Sequence, residues 1–205
     1  MQSAEEFLRS ECDGCFAEIF GDARSGKEVI ATSLAVERAS SGEVVLYVDS
    51  RRAFRPELLI ERYGVRVDVM GRIDVLSASD PYFLFEKLSR MLSVKRYRTV
   101  VWDGMSLPFF ELQVAHELSM ISRMLSLYSL KGNTVLVTNP IVSMKGKPLG
   151  YMYTDPYVHL RMRAERISED SGRLYAAGWS ARFYIRGINV FIEKETTGAP
   201  QEGAP

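Results

Sequence analysis

Residues 21–28, Gly-Asp-Ala-Arg-Ser-Gly-Lys-Glu, constrain this chain more than any other stretch. The spacing G-x-x-x-x-G-K-[ST] belongs to a loop whose backbone N–H groups cradle nucleotide phosphates. Its lysine reaches the outer phosphates and its Ser or Thr hydroxyl ligates magnesium. Gly21, Gly26 and Lys27 stand where the motif needs them, with Ser25 between the glycines, but the hydroxyl position holds Glu28. The sequence predicts a nucleotide-binding fold whose nucleotide chemistry has been altered.

Around the loop, apolar runs of strand length alternate with segments of helical period. Residues 16–20 read as a strand entering the loop. Val29, Ile30, Leu34 and Ala35 share one face of a helix that starts at the loop, where free N–H groups can meet an anion, and Gly42 ends it. Residues 44–48 read as a buried strand closing on Asp49, residues 55–63 as a short helix stopped by Gly64, and residues 73–76 as another strand. Asp80-Pro81 supplies an N-cap and a proline at the first helical position, opening a helix to Val94. A strand over 99–103 ends in Asp103, a long helix covers 112–130, and a further strand covers 134–138. This alternation predicts an α/β fold, a mostly parallel sheet flanked by helices. A Gly/Lys/Tyr-rich loop then spans 140–157, and the strict alternation of Val158 to Ala164 opens a C-terminal antiparallel extension running to Ile192. The expectation is a single core over residues 1–195 and a disordered tail over 196–205.

A formal net charge of zero gives no global pull toward nucleic acid or membrane, so any basic surface must be local. No apolar run reaches the roughly 18 residues that a membrane span needs, and the start of the chain has no secretory pattern. A cytoplasmic location without membrane contact is expected. Cys12 and Cys15 form one C-x-x-C. Zinc needs further ligands, and the histidines, His116 and His159, lie far along the chain, so no metal site is expected. The cysteines are read as unpaired thiols near the surface, with a disulfide as the alternative.

Asp103 closes an apolar strand after the loop, where a phosphate-loop ATPase places the carboxylate that holds its magnesium. Strands also end in Asp with no such role. Three more segments carry a family resemblance. Residues 44–57, Val-Val-Leu-Tyr-Val-Asp-Ser-Arg-Arg-Ala-Phe-Arg-Pro-Glu, resemble the strand–Asp-Thr-Glu-Gly-Thr-Phe-Arg-Pro-Glu-Arg of the RecA-like recombinases of archaea and eukaryotes. Residues 135–140, Val-Leu-Val-Thr-Asn-Pro, are similar to that family's strand ending Thr-Asn-Gln, and residues 147–150, Lys-Pro-Leu-Gly, to its Lys-Pro-Ile/Leu-Gly after the second DNA-binding loop. Order and spacing agree over residues 14–192. The chain starts almost at the core, without the N-terminal helical domain and polymerisation linker of full recombinases, and so resembles the short archaeal RadA/RadB-like paralogues. The resemblance implies a RecA-like core.

The departures from the family all fall on the nucleotide. The catalytic Glu falls on Arg51, whose guanidinium stays protonated and cannot serve as a base. The adenine-stacking Arg falls on Leu58. The Gln that senses the terminal phosphate falls on Pro140, which has no side-chain donor. The magnesium hydroxyl falls on Glu28, and a like charge about 4 Å from phosphate costs on the order of several kcal/mol at an effective dielectric near 20. No catalytic residue is assigned. Gly21, Ser25, Gly26, Lys27, Glu28 and Asp103 are a degenerate nucleotide site, and ATP with magnesium is the one cofactor the motif names. The opposing reading is an active enzyme that takes the missing roles from a neighbouring subunit.

By the same resemblance, residues 144–166 match the second DNA-binding loop and the strand after it. Lys145, Lys147, Arg161 and Arg163, interleaved with tyrosines, are candidates for single-stranded DNA contact, because phosphate neutralisation and base stacking need those groups. The plain alternative is a solvated strand face. Residues 105–111 occupy the place of the first DNA loop without its basic residues. Together these features imply a non-catalytic recombinase paralogue in homologous recombination and DNA repair, whose partners are a recombinase or another paralogue and single-stranded DNA. A DNA-dependent ATPase active as an oligomer and a regulatory nucleotide-binding module remain the alternatives.

Overall fold

The computed structural model describes residues 1–12, 14–78, 80–94, 97–142 and 146–195. Its strands are β1 (Gln2–Ser3), β2 (Phe16–Gly21), β3 (Val45–Asp49), β4 (Ile73–Ser77), β5 (Thr99–Asp103), β6 (Thr134–Val142), β7 (Lys147–Pro148), β8 (Leu160–Ser168), β9 (Ser171–Ala176), β10 (Trp179–Arg186) and β11 (Asn189–Glu195). The helices are α1 (Ala4–Cys12), α2 (Lys27–Ser40), α3 (Pro56–Tyr63), α4 (Val67–Met70), α5 (Pro81–Val94), α6 (Leu107–Glu111), α7 (Ala115–Ser129) and α8 (Tyr151–Thr154). The strands join one sheet in the order β1-β11-β10-β9-β8-β2-β6-β5-β3-β4, with β7 on β6.

The central strands are apolar on both faces because both faces are covered. Val45 and Tyr47 of β3, Val101 of β5 and Leu136 of β6 enter a core with Ile30, Leu34 and Ala35 of α2 and with Phe7 and Leu8 of α1. Their neighbours Leu46, Val48, Val100, Trp102, Val135 and Val137 point the other way, onto Leu88 of α5 and Leu118, Ile121 and Leu125 of α7. That is the alternation a strand imposes. The parallel pairs run β8-β2-β6-β5-β3-β4, and the antiparallel pairs run from β8 through β9 and β10 to β11 and β1. The α/β sheet with a C-terminal antiparallel extension is as the sequence predicts. The change of direction falls on β8, which is parallel to β2 and antiparallel to β9.

The punctuation residues act as expected at most boundaries. Gly64 sits at φ 68° and donates to Ile60 O at 3.1 Å. Asp80 Oδ1 accepts the Tyr82 N–H at 3.0 Å at the start of α5. The helix expected over 112–130 is a correction. Pro108 lies in the first turn of the separate α6, Gln113 then turns left-handed at φ 58°, and α7 starts only at Ala115. The strand expected over 134–138 continues to Val142, and the 140–157 loop contains β7 and α8. Cys12 is buried, not at the surface, and is bonded to Cys15 with a Cα separation of 5.3 Å, so the disulfide alternative replaces the reading as free thiols. The tail expected over 196–205 lies outside the described residues. Among the described residues, no helix is long and apolar enough to cross a membrane.

Candidate functional site

β2 ends at Gly21 and α2 starts at Lys27, so the five residues 22–26 form the connecting loop. Two left-handed residues, Arg24 at φ 67° and Gly26 at φ 94°, curl the chain back over the head of α2. Ser25 N–H donates to Asp22 O at 3.1 Å, and the first helical bond runs from Ile30 N–H to Gly26 O at 3.0 Å. No side chain caps α2. A Cβ on Gly21 would lie 2.4 Å from Ala164 O, and one on Gly26 would lie 2.9 Å from the Phe183 ring, so each glycine is needed for close approach.

Lys27 is buried and donates to Asp22 O at 2.9 Å, while its Nζ lies 2.8 Å from Glu28 Oε1. Arg51 Nη1 closes on the same Glu28 oxygen. One carboxylate thus bridges two cations at the head of α2. Burial works to raise the Glu28 carboxyl, but the hydrogen bond and charge of Lys27, with Arg51 behind them, hold it below the usual carboxylate range. Arg51 is held above its ordinary value: burial opposes, and the charges of Asp103 and Glu28 prevail. Asp103, also buried, accepts a hydrogen bond from Thr138 Oγ1 at 2.6 Å. Burial pushes its carboxyl up, against the pull of that hydroxyl and of Arg51.

Beside the bridge opens a cleft of about 650 Å³. Arg51 and Leu58, both singled out in the sequence, line it with Glu28 and Asp103. Its apolar wall includes Tyr47 and Phe54, whose rings are 4.3 Å apart. Pro140 pairs beside Gly21 in the sheet but does not line the cleft. Sequence reasoning missed the rest of its charge. Arg24, Arg55 and Arg62 project into it, as do Glu169 and Asp170 from the β8–β9 turn. Arg166, grouped by sequence with the basic strand, lines this cleft as well. Among the described residues, no cluster of three or more His, Cys, Asp or Glu side chains could hold a metal ion.

The alternation in β8 buries Met162 and Ala164 as expected. On the opposite face His159 and Arg163 are exposed, and the departure from a plain solvated face is at Arg161. His159 Nδ1 accepts the Phe16 N–H at 3.2 Å. Arg161 Nε donates to Glu18 Oε2 at 2.6 Å, and its Nη1 lies 2.6 Å from Asp155 Oδ1. The cause is Glu18, a fully buried carboxylate directly opposite Arg161 in the β2–β8 pairing. A buried charge needs a counter-charge and hydrogen bonds. Arg161 gives the first, and Asn139 Nδ2 donates to Glu18 Oε1 at 2.6 Å. Burial still raises the Glu18 carboxyl above its usual value. The signal for this was a lone Glu inside the apolar run Phe-Ala-Glu-Ile-Phe.

Lys147 Nζ lies 4.0 Å from the centroid of the Tyr151 ring, and Arg161 Cζ lies 4.7 Å from it. That ring is already engaged by cations from this chain. Arg163, with 44% of its side chain exposed, is more open than Arg161 and lies 2.7 Å from Glu165 Oε1. Lys145 lies outside the described residues. His116 is exposed, next to Glu117.

Comparison with known proteins places the chain beside a family and a solved structure. The family model described as Rad51 matches residues 9–155. A solved structure described as "Crystal structure of the RadB recombinase" aligns with a TM-score of 0.71 at 20% sequence identity, covering 87% of this chain and 90% of that chain. At that identity the likeness speaks for the fold. No curated protein matches the chain in sequence.

Proposed function

The chain belongs to the Rad51 family, and we propose that within it this protein is a recombinase paralogue that acts in homologous recombination and DNA repair without turning over ATP. It assists a partner recombinase, or another paralogue, on single-stranded DNA. The observation that carries this reading is the Lys27–Glu28–Arg51 bridge. Hydrolysis needs a base that can take a proton from water, and Arg51 stands at the position the family resemblance gives to that base. A guanidinium stays charged and has no acceptor. Magnesium needs an oxygen ligand at the head of α2, and the Glu28 carboxylate there is tied to two cations of its own chain. These residues do not fit a magnesium nucleotide in the manner of the motif, so no catalytic step is derived through one. Arg163, half-open on β8, supplies a phosphate contact for DNA.

The test is phosphate release from ATP with magnesium and single-stranded DNA, native protein against Lys27→Ala. The expected result is equal background from both. Steady turnover that Lys27→Ala abolishes would overturn the reading.

A further inference from the structure

The bridge at the head of α2 also bears on binding, and here the inference rests on the reading above but goes beyond hydrolysis. A phosphate loop attracts its ligand with one lysine, free N–H groups and the positive end of a helix. In this chain the lysine is buried, and its ammonium is satisfied by Asp22 O at 2.9 Å and Glu28 Oε1 at 2.8 Å. Arg51, reaching in from the turn after β3, holds the same Glu28 oxygen. The carboxylate thus sits where the motif places an anion and takes both cations that flank it.

We propose that Glu28 is an internal ligand of this loop, a carboxylate that occupies the phosphate place, so that a nucleoside polyphosphate enters only by displacing it. The rest of the cleft suits such a ligand. Arg24, Arg55, Arg62 and Arg166 line it against Glu169 and Asp170, and the Tyr47–Phe54 pair offers an apolar wall. Glu28 is the gate because its one oxygen, Oε1, contacts Lys27 and Arg51 together. Taking away its charge while keeping its size leaves Lys27 with only the Asp22 carbonyl and Arg51 with only the charge of Asp103, so both can turn to a polyphosphate without a metal.

The experiment is titration of a fluorescent ATP analogue in EDTA into the native protein, Glu28→Gln and Glu28→Thr, with thermal melts of each with and without ATP. Glu28→Gln is expected to bind at least about tenfold more tightly than native protein, since a like charge beside phosphate is removed. Adding Lys27→Ala to it should return the affinity to the native level. Without ligand, Glu28→Gln should melt lower than native because Lys27 loses its partner, and ATP should restore the melt. Glu28→Thr should bind like Glu28→Gln in EDTA and more tightly once magnesium replaces EDTA. Equal affinities of native protein and Glu28→Gln, whether tight or absent, would overturn the proposal. So would a lowered melt that ATP does not restore, or loss of the fold in both variants, because either makes Glu28 a structural partner only. Turnover by native protein would contradict the functional reading instead, and equal affinity without turnover would contradict only this one.

Discussion

Arg161 and Arg163 are two residues apart on one strand and have different duties. Arg161 neutralises a carboxylate with no exposure on the central strand, while Arg163 sits at the surface beside Glu165. Removing one partner of a buried pair leaves an uncompensated charge, so Arg161→Ala should destabilise the protein by about 3–5 kcal/mol. Arg163→Ala removes a surface pair and should cost about 0–1 kcal/mol. Urea denaturation of the two variants gives the comparison, and equal losses would show that Glu18 does not depend on Arg161. The sequence made the arginines look alike because alternation reports only which face a side chain leaves from. The partner that separates them lies 143 residues away in the chain. The phosphate loop was legible for the opposite reason: its residues are contiguous and its spacing is fixed by one turn. Even there, the identity of Glu28 was plain, while its two cationic partners came from Lys27 next to it and Arg51 across the sheet.

At the scale of elements, strands and helices were legible wherever apolar period and a stop residue agreed, as at α2, α3 and α5. They were less so where a backbone turn intervened without glycine, as at Gln113 between α6 and α7. The partner of β8 could not be read at all, since nothing in its alternation says that it pairs parallel with β2. That pairing is tight at its end nearest the loop. Gly21→Ala would put a methyl 2.4 Å from Ala164 O, a contact with backbone that no side-chain rotation relieves. A loss of about 1–3 kcal/mol is expected, in the range of overpacking. Gly42→Ala is the control for backbone strain alone: φ is 99° there, and nothing lies within 4 Å of the added atom. Its cost should be about 1–2 kcal/mol, without disturbing the sheet. Hydrogen exchange on the amides of β2 and β8 separates the cases. Gly21→Ala should raise exchange there and Gly42→Ala should not; equal protection in both would refute a close β2–β8 junction.

Across the whole molecule, the two regions that resemblance marks for nucleotide and DNA share one habit: several of their charges are met inside the chain. Asp103 is held by Thr138, Asn139 joins Glu18, Glu18 holds Arg161, and Arg161 reaches Asp155 and the face of Tyr151. Single-stranded DNA contact, if it runs through β8, is therefore left to Arg163. Arg163→Ala should weaken binding to all sequences alike and lower the salt slope by about one ion. Anisotropy of a labelled oligonucleotide over several salt concentrations measures both, and an unchanged slope would remove Arg163 from the interface. The central claim is that this recombinase core does not split ATP, because an arginine stands where a base is needed and a carboxylate where magnesium is met. Single-turnover hydrolysis tests it most directly: protein in excess over labelled ATP, with magnesium and single-stranded DNA, native chain beside Lys27→Ala. The account predicts that the two time courses coincide with the protein-free control. Conversion of ATP by the native chain, lost with Lys27→Ala, would contradict it.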